Sequence, residues 1–487
     1  MARRRHTILD TFDGRIRKAG ARLTQSGTDR RTVAWQRRSA GTSLTVSLPA
    51  PVSFAWDLAD GPLKRALAPI IGVRRLLAQA ETEVQESTFD VLDDRNKTIA
   101  RLRIESGRAR VPKERHAWQP LPSVITLSGL RGYEDAYRAL VPVLESRPGI
   151  EACPEGFDGL TLRQLDALPV PPSPGADLAP TVAAETGARR IHQEFLKILV
   201  ANEPGVRTRL DTEFLHDFRV AVRRTRSLLG QVRRVFPPDA LTHFSTEFSW
   251  LGRATGPLRD LDVLVLAVRG QRNRIPDDDF ERLTTFLGQA QEREHQVLIE
   301  GLDGKRYQRL LMDWTAFLER STPYHEAASN AGRPLADVVA QRAWRLSRRI
   351  ARRAETFDDQ TPPDRVHEIR LDTKKLRYLV DVAPAFYDAA DLQTVLGALK
   401  KLQRVLGEFN DARAQEQRLL ECASAAAAVA EPLETKLALG RLADRCRERG
   451  DRLRGQVGDG LAEFRSRDTQ SACRRAFERP VTPESLR

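Results

Sequence analysis

The sequence predicts a multidomain chain: an α+β domain rich in antiparallel strands, followed by an all-α domain built from a duplicated helical unit. Three observations predict it. Short alternating segments separated by turn residues run to about residue 146. Five prolines then fall between Pro169 and Pro180. From Thr181 to about Arg465 nearly every segment carries 3.6-residue periodicity, and one helix in it is written twice. A chain of 487 residues with 41% apolar content exceeds what one hydrophobic core usually serves.

In the first domain, Ser43–Leu48, Ser87–Leu92 and Thr98–Glu105 alternate like strands. Asp13-Gly14, Ser26-Gly27, Asp93–Asn96 and Ser106-Gly107 mark hairpins. Pro62–Gln79 and Tyr133–Leu144 carry helical spacing. The proline-rich stretch forbids both helix interior and central strand, so the chain divides into residues 1–165, a linker at 166–180, a helical domain at 181–465 and a tail at 466–487. Helix breaks are expected at Glu203-Pro-Gly205, Phe236-Pro-Pro238, Gly256-Pro257, Ile275-Pro276, Thr361-Pro-Pro363 and Glu431-Pro432. Short connections favour antiparallel neighbours, hence bundles.

The duplicated helix reads His216-Asp-Phe-Arg219-Val-Ala-Val-Arg223-Arg224-Thr-Arg226 and, 151 residues later, His367-Glu-Ile-Arg370-Leu-Asp-Thr-Lys374-Lys375-Leu-Arg377. Positions i, i+3, i+7 and i+10 share an arc of about 80°, so each copy presents a basic stripe about 15 Å long. Opposite it, Phe218, Val222, Thr225 and Leu229 repeat as Ile369, Thr373, Leu376 and Val380, which marks a packed face. The same offset carries Leu251, Arg253, Gly256 and Asp260 onto Leu402, Arg404, Gly407 and Asp411. A duplication of a several-helix unit, with two halves related by an approximate two-fold axis, accounts for all of these.

Like charges at these spacings destabilise an isolated helix, so the repeated array implies an anion against it. Guanidinium forks engage phosphate oxygens bidentately, and lysine adds a compact charge. For any single arginine a solvated helix face is the ordinary reading; the repetition favours a ligand. His216 and His367 stand at their helix starts and are assigned to positioning and binding. Asp260 and Asp411 are read as helix caps or as partners that hold a stripe arginine. No P-loop, zinc spacing or nucleophile motif is present, so no catalytic and no metal-binding residue is assigned.

Seventy-nine Lys and Arg against 66 Asp and Glu give a net charge of +13 and a pI near 9.9, which favours acidic partners. Four widely spaced cysteines fit a reducing cytoplasm. No window approaches eighteen uninterrupted apolar residues, so no membrane partner is expected. With 6% aromatic content the chain lacks the base-stacking platforms of single-strand binders, which ranks nucleic acid low among partners.

The two basic helices, with their downstream Gly and Asp segments, resemble the CHAD family, the conserved histidine α-helical domain, over about Thr181–Ala425. The resemblance implies a pair of four-helix bundles whose basic central channel binds inorganic polyphosphate. It assigns binding to His216, Arg219, Arg223, Arg224, Arg226, His367, Arg370, Lys374, Lys375 and Arg377, and secondarily to Arg253, Arg259, Lys401 and Arg404. Leu9-Asp-Thr-Phe-Asp-Gly-Arg15 and Ala19–Leu23 are similar to the early segment of a CYTH domain, of the triphosphate tunnel metalloenzyme type. That family's opening ExExK strand, which supplies metal-binding carboxylates, has no counterpart before Leu9. Glu81, Glu83 and the run Ala100–Glu105 keep some charge alternation. The expectation is a cytoplasmic polyphosphate binder, associated with polyphosphate granules, that uses no cofactor and carries a degenerate CYTH-like domain. The alternatives are an inorganic triphosphatase, with a divalent metal in the first domain, and a nucleic-acid binder.

Overall fold

The computed structural model describes residues 4–26, 32–37, 43–112, 117–165, 178–272, 276–320, 325–358, 360–382, 384–428 and 433–478. Two compact units emerge, residues 1–171 and 172–487. The linker residues 166–177, Gly27, Ile275 and the Glu431-Pro432 pair lie outside the described residues.

The first unit is a seven-stranded sheet of β1 (Arg4–Asp10), β2 (Ala21–Ser26), β3 (Thr32–Arg37), β4 (Ser43–Ser47), β5 (Leu77–Leu92), β6 (Thr98–Arg110) and β7 (Gln119–Gly129) in the order β4-β3-β2-β1-β5-β6-β7. Every pairing is antiparallel. Helices α1 (Arg15–Lys18), α2 (Pro62–Ile71), α3 (Glu134–Glu145) and α4 (Gly156–Gln164) complete the unit. Period-two alternation gives the sheet two cores: Leu9, Leu23 and Trp35 pack with Leu63 and Leu67 of α2, whereas Ile8, Val84 and Val124 pack with Phe157 and Leu162 of α4. The Asp93–Asn96 hairpin holds, with Asp93 Oδ1 accepting from the N–H groups of Arg95 and Lys97 and Asn96 left-handed at φ 58°.

Two expectations fail in this unit. Ser106-Gly107 is no turn but a register shift inside β6, where a side chain at Gly107 would meet the Glu83 carbonyl at 2.1 Å. Helical spacing persists to Gln79 in the sequence, but α2 stops at Ile71 because Gly72 turns left-handed (φ 58°), and β5 begins at Leu77.

The second unit holds α5 (Ala184–Arg207), α6 (Thr212–Gln231), α7 (Pro238–Ala254), α8 (Gly256–Gly270), α9 (Asp277–Asp303), α10 (Lys305–Glu319), α11 (Leu335–Glu355), α12 (Pro363–Val382), α13 (Ala389–Ala428), α14 (Leu433–Arg465) and α15 (Arg467–Glu478). The duplication extends to the boundaries. Helices α5 and α11 start 151 residues apart, as do α6 and α12, and α7 and α13. The continuous α13 replaces the α7–α8 pair because Pro257, which lacks an N–H to continue the ladder, has Glu408 as its counterpart. Pro204, expected to end a helix, lies inside α5, which continues to Arg207. Residues 466–487, expected as a tail, contain α15, with Cys473, Ala476 and Phe477 buried.

The apolar stripes form the core as expected. Phe218, Val222, Thr225 and Leu229 are buried, and so are Ile369, Thr373, Leu376 and Val380. Burying each large apolar side chain contributes roughly 1.5–3 kcal/mol. The helices opposite are thereby fixed in rotation, with their basic stripes turned away from the core. Among the described residues no helix is long and apolar enough to cross a membrane.

Candidate anion-binding site

Asp211 caps α6 by accepting the N–H groups of Glu213 and Phe214 at 2.9 and 3.2 Å, which sets where the first stripe begins. Three turns later the Arg223 guanidinium stands 5.8 Å from the centroid of the Tyr378 ring on α12. Arg223 is also a like-charge neighbour of Arg370 and Lys374. It therefore meets positions i+3, i+7 and i+11 of the second stripe, centred on its own counterpart, Lys374. The duplicated stripes face each other, and the local two-fold runs between Arg223 and Lys374.

The electrostatics of this meeting point are unbalanced. Burial, then Arg370 and Arg223, push the Lys374 ammonium down to about 8 against the opposing pull of Asp411. Burial likewise lowers Arg370, whose nearest carboxylate is Asp411 at 3.8 Å and whose buried Nε has no hydrogen-bond partner. Arg219 is lowered by burial, opposed by Asp260, while its Nη1 donates to the Gly252 carbonyl (2.9 Å) and Thr255 Oγ1 (2.7 Å). Asp260 and Asp411 thus occupy matching places in the two halves, but only Asp411 lies within ion-pair distance of its stripe arginine. Arg226 lies beside Gly252, where a side chain would stand 3.2 Å from its Nη1, and has Arg253 as a like-charge neighbour. Among the described residues, no carboxylate lies within ion-pair distance of Arg223, Arg226 or Lys374.

The ends of the facing stripes differ. His367 Nδ1 is 3.1 Å from Asn410 Oδ1, and a cavity of about 170 Å³ opens beside it, lined by His367, Arg370, Asn410 and Arg413, with Asp364 also on its wall. In the other half the counterpart of Asn410 is Arg259. It donates to the Thr212 carbonyl (2.8 Å) and sits 3.7 Å from Glu213, bracing the start of α6.

Several sequence-assigned cations are placed differently from the centre. Arg377 is bound by Asp381 at 2.7 Å, one turn along its own helix. Lys375 points to Asp372, 3.8 Å away, on the far side of α12. Lys401 pairs with Glu463 of α14 at 2.8 Å. Arg404 is exposed and 3.6 Å from Glu408. Arg224 lines a small cavity with Ser227, Tyr378 and Asp381. Thr255 and Asn410 were not assigned from sequence, because nothing local marks a side chain that orients an arginine or histidine from another helix.

In the first unit the glutamates at the start of β5 are engaged by arginines. Glu83 accepts from Arg5 Nε (3.0 Å) and Arg108 Nε (2.7 Å), and Glu81 accepts from Arg110 Nε (2.8 Å). All three guanidinium groups approach the Trp118 ring, within 5.5 Å of its centroid. Among the described residues, no group of three or more His, Cys, Asp or Glu side chains gathers to hold a metal ion. The carboxylates of β5 serve an arginine ladder instead.

Comparison with known proteins agrees with this architecture. The family profile of the CHAD domain matches residues 190–420. The crystal structure of the CHAD domain from the plant Ricinus communis superposes with a TM-score of 0.50 at 25% identity, covering 60% of this chain and 95% of that one. Two uncharacterized Mycobacterium tuberculosis proteins, MT2285 and Rv2226, are each 27% identical over 328 residues, and the match spans 60% of this chain and 60% of each relative. The seven-stranded antiparallel sheet of the first unit is consistent with a CYTH-like domain.

Proposed function

We propose, from the premise that residues 190–420 are a CHAD domain, that this chain binds inorganic polyphosphate between α6 and α12 and through it associates with polyphosphate granules. One observation carries the reading: Arg223 of one half converges on Arg370 and Lys374 of the other, and neither Arg223 nor Lys374 has a carboxylate partner among the described residues. A linear polyanion satisfies both stripes at once and relieves their mutual repulsion, whereas one small phosphate neutralises part of either. Arg219 and Arg370 are pre-oriented by Thr255 and Asp411, so little side-chain freedom remains to be lost on binding.

The test compares two double variants of the full chain. Arg223→Ala/Lys374→Ala removes the central pair, and Arg447→Ala/Arg452→Ala removes two exposed charges on α14. The reading expects the first to weaken polyphosphate binding at least tenfold, about 1.4 kcal/mol, and the second to leave it within about twofold. Equal weakening by both would refute a specific channel.

The triphosphatase alternative gains no support from Glu81 and Glu83 of the first unit, whose carboxylates accept from arginines. Nucleic acid is disfavoured at the channel because Tyr378, the aromatic residue on a basic stripe, is already engaged by Arg223.

A further inference from the structure

A third basic stripe occupies α11. Arg342, Arg345, Arg349 and Arg352 stand at i, i+3, i+7 and i+10, the spacing of the two channel stripes, and so share an arc of about 80° on that helix. It is not part of the duplication: the counterparts 151 residues earlier are Ile191, Glu194, Ile198 and Ala201. Nor does it belong to the channel, because α11 approaches α12 on the side of Asp372, about 180° from the channel stripe. There Arg349 Nε donates to Asp372 Oδ2 at 2.7 Å, and Arg353 also binds that buried carboxylate.

The stripe is half anchored and half free. Arg349 is fixed by Asp372. Arg342 Nε donates to the side-chain oxygen of Gln231 at 2.7 Å, beside the carboxyl end of α6, whose dipole favours a cation. Arg345 and Arg352 are exposed, and neither forms an ion pair among the described residues. Arg233, just beyond α6, closes on the same cluster: burial first, then Arg233, Arg349 and Arg345, lower Arg342, with Asp372 opposing. Arg349 and Arg353 thus share one buried carboxylate, and Arg233 and Arg345 crowd Arg342 beside it, an excess of positive charge that an external anion would offset. Trp344 on the adjacent flank is half-buried and lies 5.9 Å from the Arg348 guanidinium, so it offers no free stacking platform for a base.

We propose that Arg233, Arg342, Arg345, Arg349 and Arg352 form a second polyphosphate-binding surface, outside the channel, over which a long chain continues after leaving it. The inference rests on the polyphosphate reading of the channel and adds that chain length is sensed in two stages.

The test uses the full chain with Arg345→Glu/Arg352→Glu, two exposed positions, against Arg447→Glu/Arg452→Glu, which changes net charge equally at a distance. Binding of long-chain polyphosphate and of tripolyphosphate is titrated at several salt concentrations. Expected for Arg345→Glu/Arg352→Glu are about tenfold weaker long-chain binding, a log–log salt slope lower by about 1.4 for two lost phosphate contacts at about 0.7 each, and unchanged tripolyphosphate binding. Long-chain binding equal to that of the distant control would overturn the proposal. So would loss of single-stranded DNA binding with polyphosphate unaffected. Failure of the channel reading itself is separately visible, as Arg223→Ala/Lys374→Ala binding tripolyphosphate like the unmodified protein.

Discussion

Ala183 and Pro334, 151 residues apart, pair with each other across an isolated antiparallel bridge. The flanking bonds obey the same relation: Ala184 N–H donates to the Arg333 carbonyl at 2.8 Å, and Leu335 N–H to the Val182 carbonyl at 2.8 Å. A residue that pairs with its own repeat counterpart lies on a two-fold axis. Arg223 and Lys374 are likewise counterparts that meet, so the axis relating the halves also passes between the two facing basic stripes. Symmetry of this kind concentrates like charge, because whatever one half brings to the axis the other half brings too.

The concentration costs stability, and the protein should gain when it is relieved. Lys374→Met removes one charge from the centre while keeping an apolar stem of similar length. Thermal unfolding at low salt and neutral pH is expected to shift upward, by roughly 2–4 °C per kcal/mol of repulsion relieved in a unit of this size, while polyphosphate binding weakens. A lower melting temperature would mean that Lys374 supports the fold instead of burdening it.

The pH dependence has a definite sign. Burial and the flanking Arg370 and Arg223 hold Lys374 at about 8, below its ordinary 10.5, with Asp411 the facing carboxylate that opposes them. The unfolded chain therefore binds this proton more tightly, and ligand-free stability rises as pH climbs from about 8 toward 10.5. Binding runs the other way: the ammonium is present below 8 and lost above it, so affinity for polyphosphate falls between pH 7 and 9. Lys374→Arg, charged throughout, should flatten that profile. Titration calorimetry at pH 7, 8 and 9 on both proteins checks it.

In the core, Phe218 is fully buried on the apolar stripe of α6. Phe218→Ala should cost about 3–5 kcal/mol by denaturant unfolding. Its counterpart Ile369, changed to Val, should cost only about 0.5–1.5 kcal/mol. Comparable losses at the two positions would indicate that the halves are not packed alike.

For the first unit, Glu81 and Glu83 are expected to act as ion-pair partners of Arg110, Arg5 and Arg108. Tripolyphosphate incubated with the full chain and magnesium or manganese should release no more orthophosphate than with Glu81→Gln/Glu83→Gln. Release that those substitutions abolish would restore the triphosphatase alternative.

Much of this was legible in the residues themselves. The repeat at 151 marked α6 and α12 as equivalent helices, because their apolar faces were duplicated along with their charges. Misreadings arose where a local signal was overridden by a neighbour in space. Pro204 is absorbed within α5, and Gly107 serves a close strand approach to Glu83 and not a turn. The partner of Lys401 is Glu463, 62 positions away, which no local pattern could supply. Asp381, four residues after Arg377, was within reach of helical reasoning, and so was the α11 stripe, whose spacing repeats that of the channel.

The most direct measurement is a calorimetric titration of the full chain with orthophosphate, tripolyphosphate and progressively longer polyphosphates at fixed salt. Two facing stripes predict affinity that climbs steeply with chain length and weakens with added salt, with orthophosphate bound far more weakly than any chain that reaches both helices. Equal affinity for orthophosphate and long polyphosphate would contradict the account.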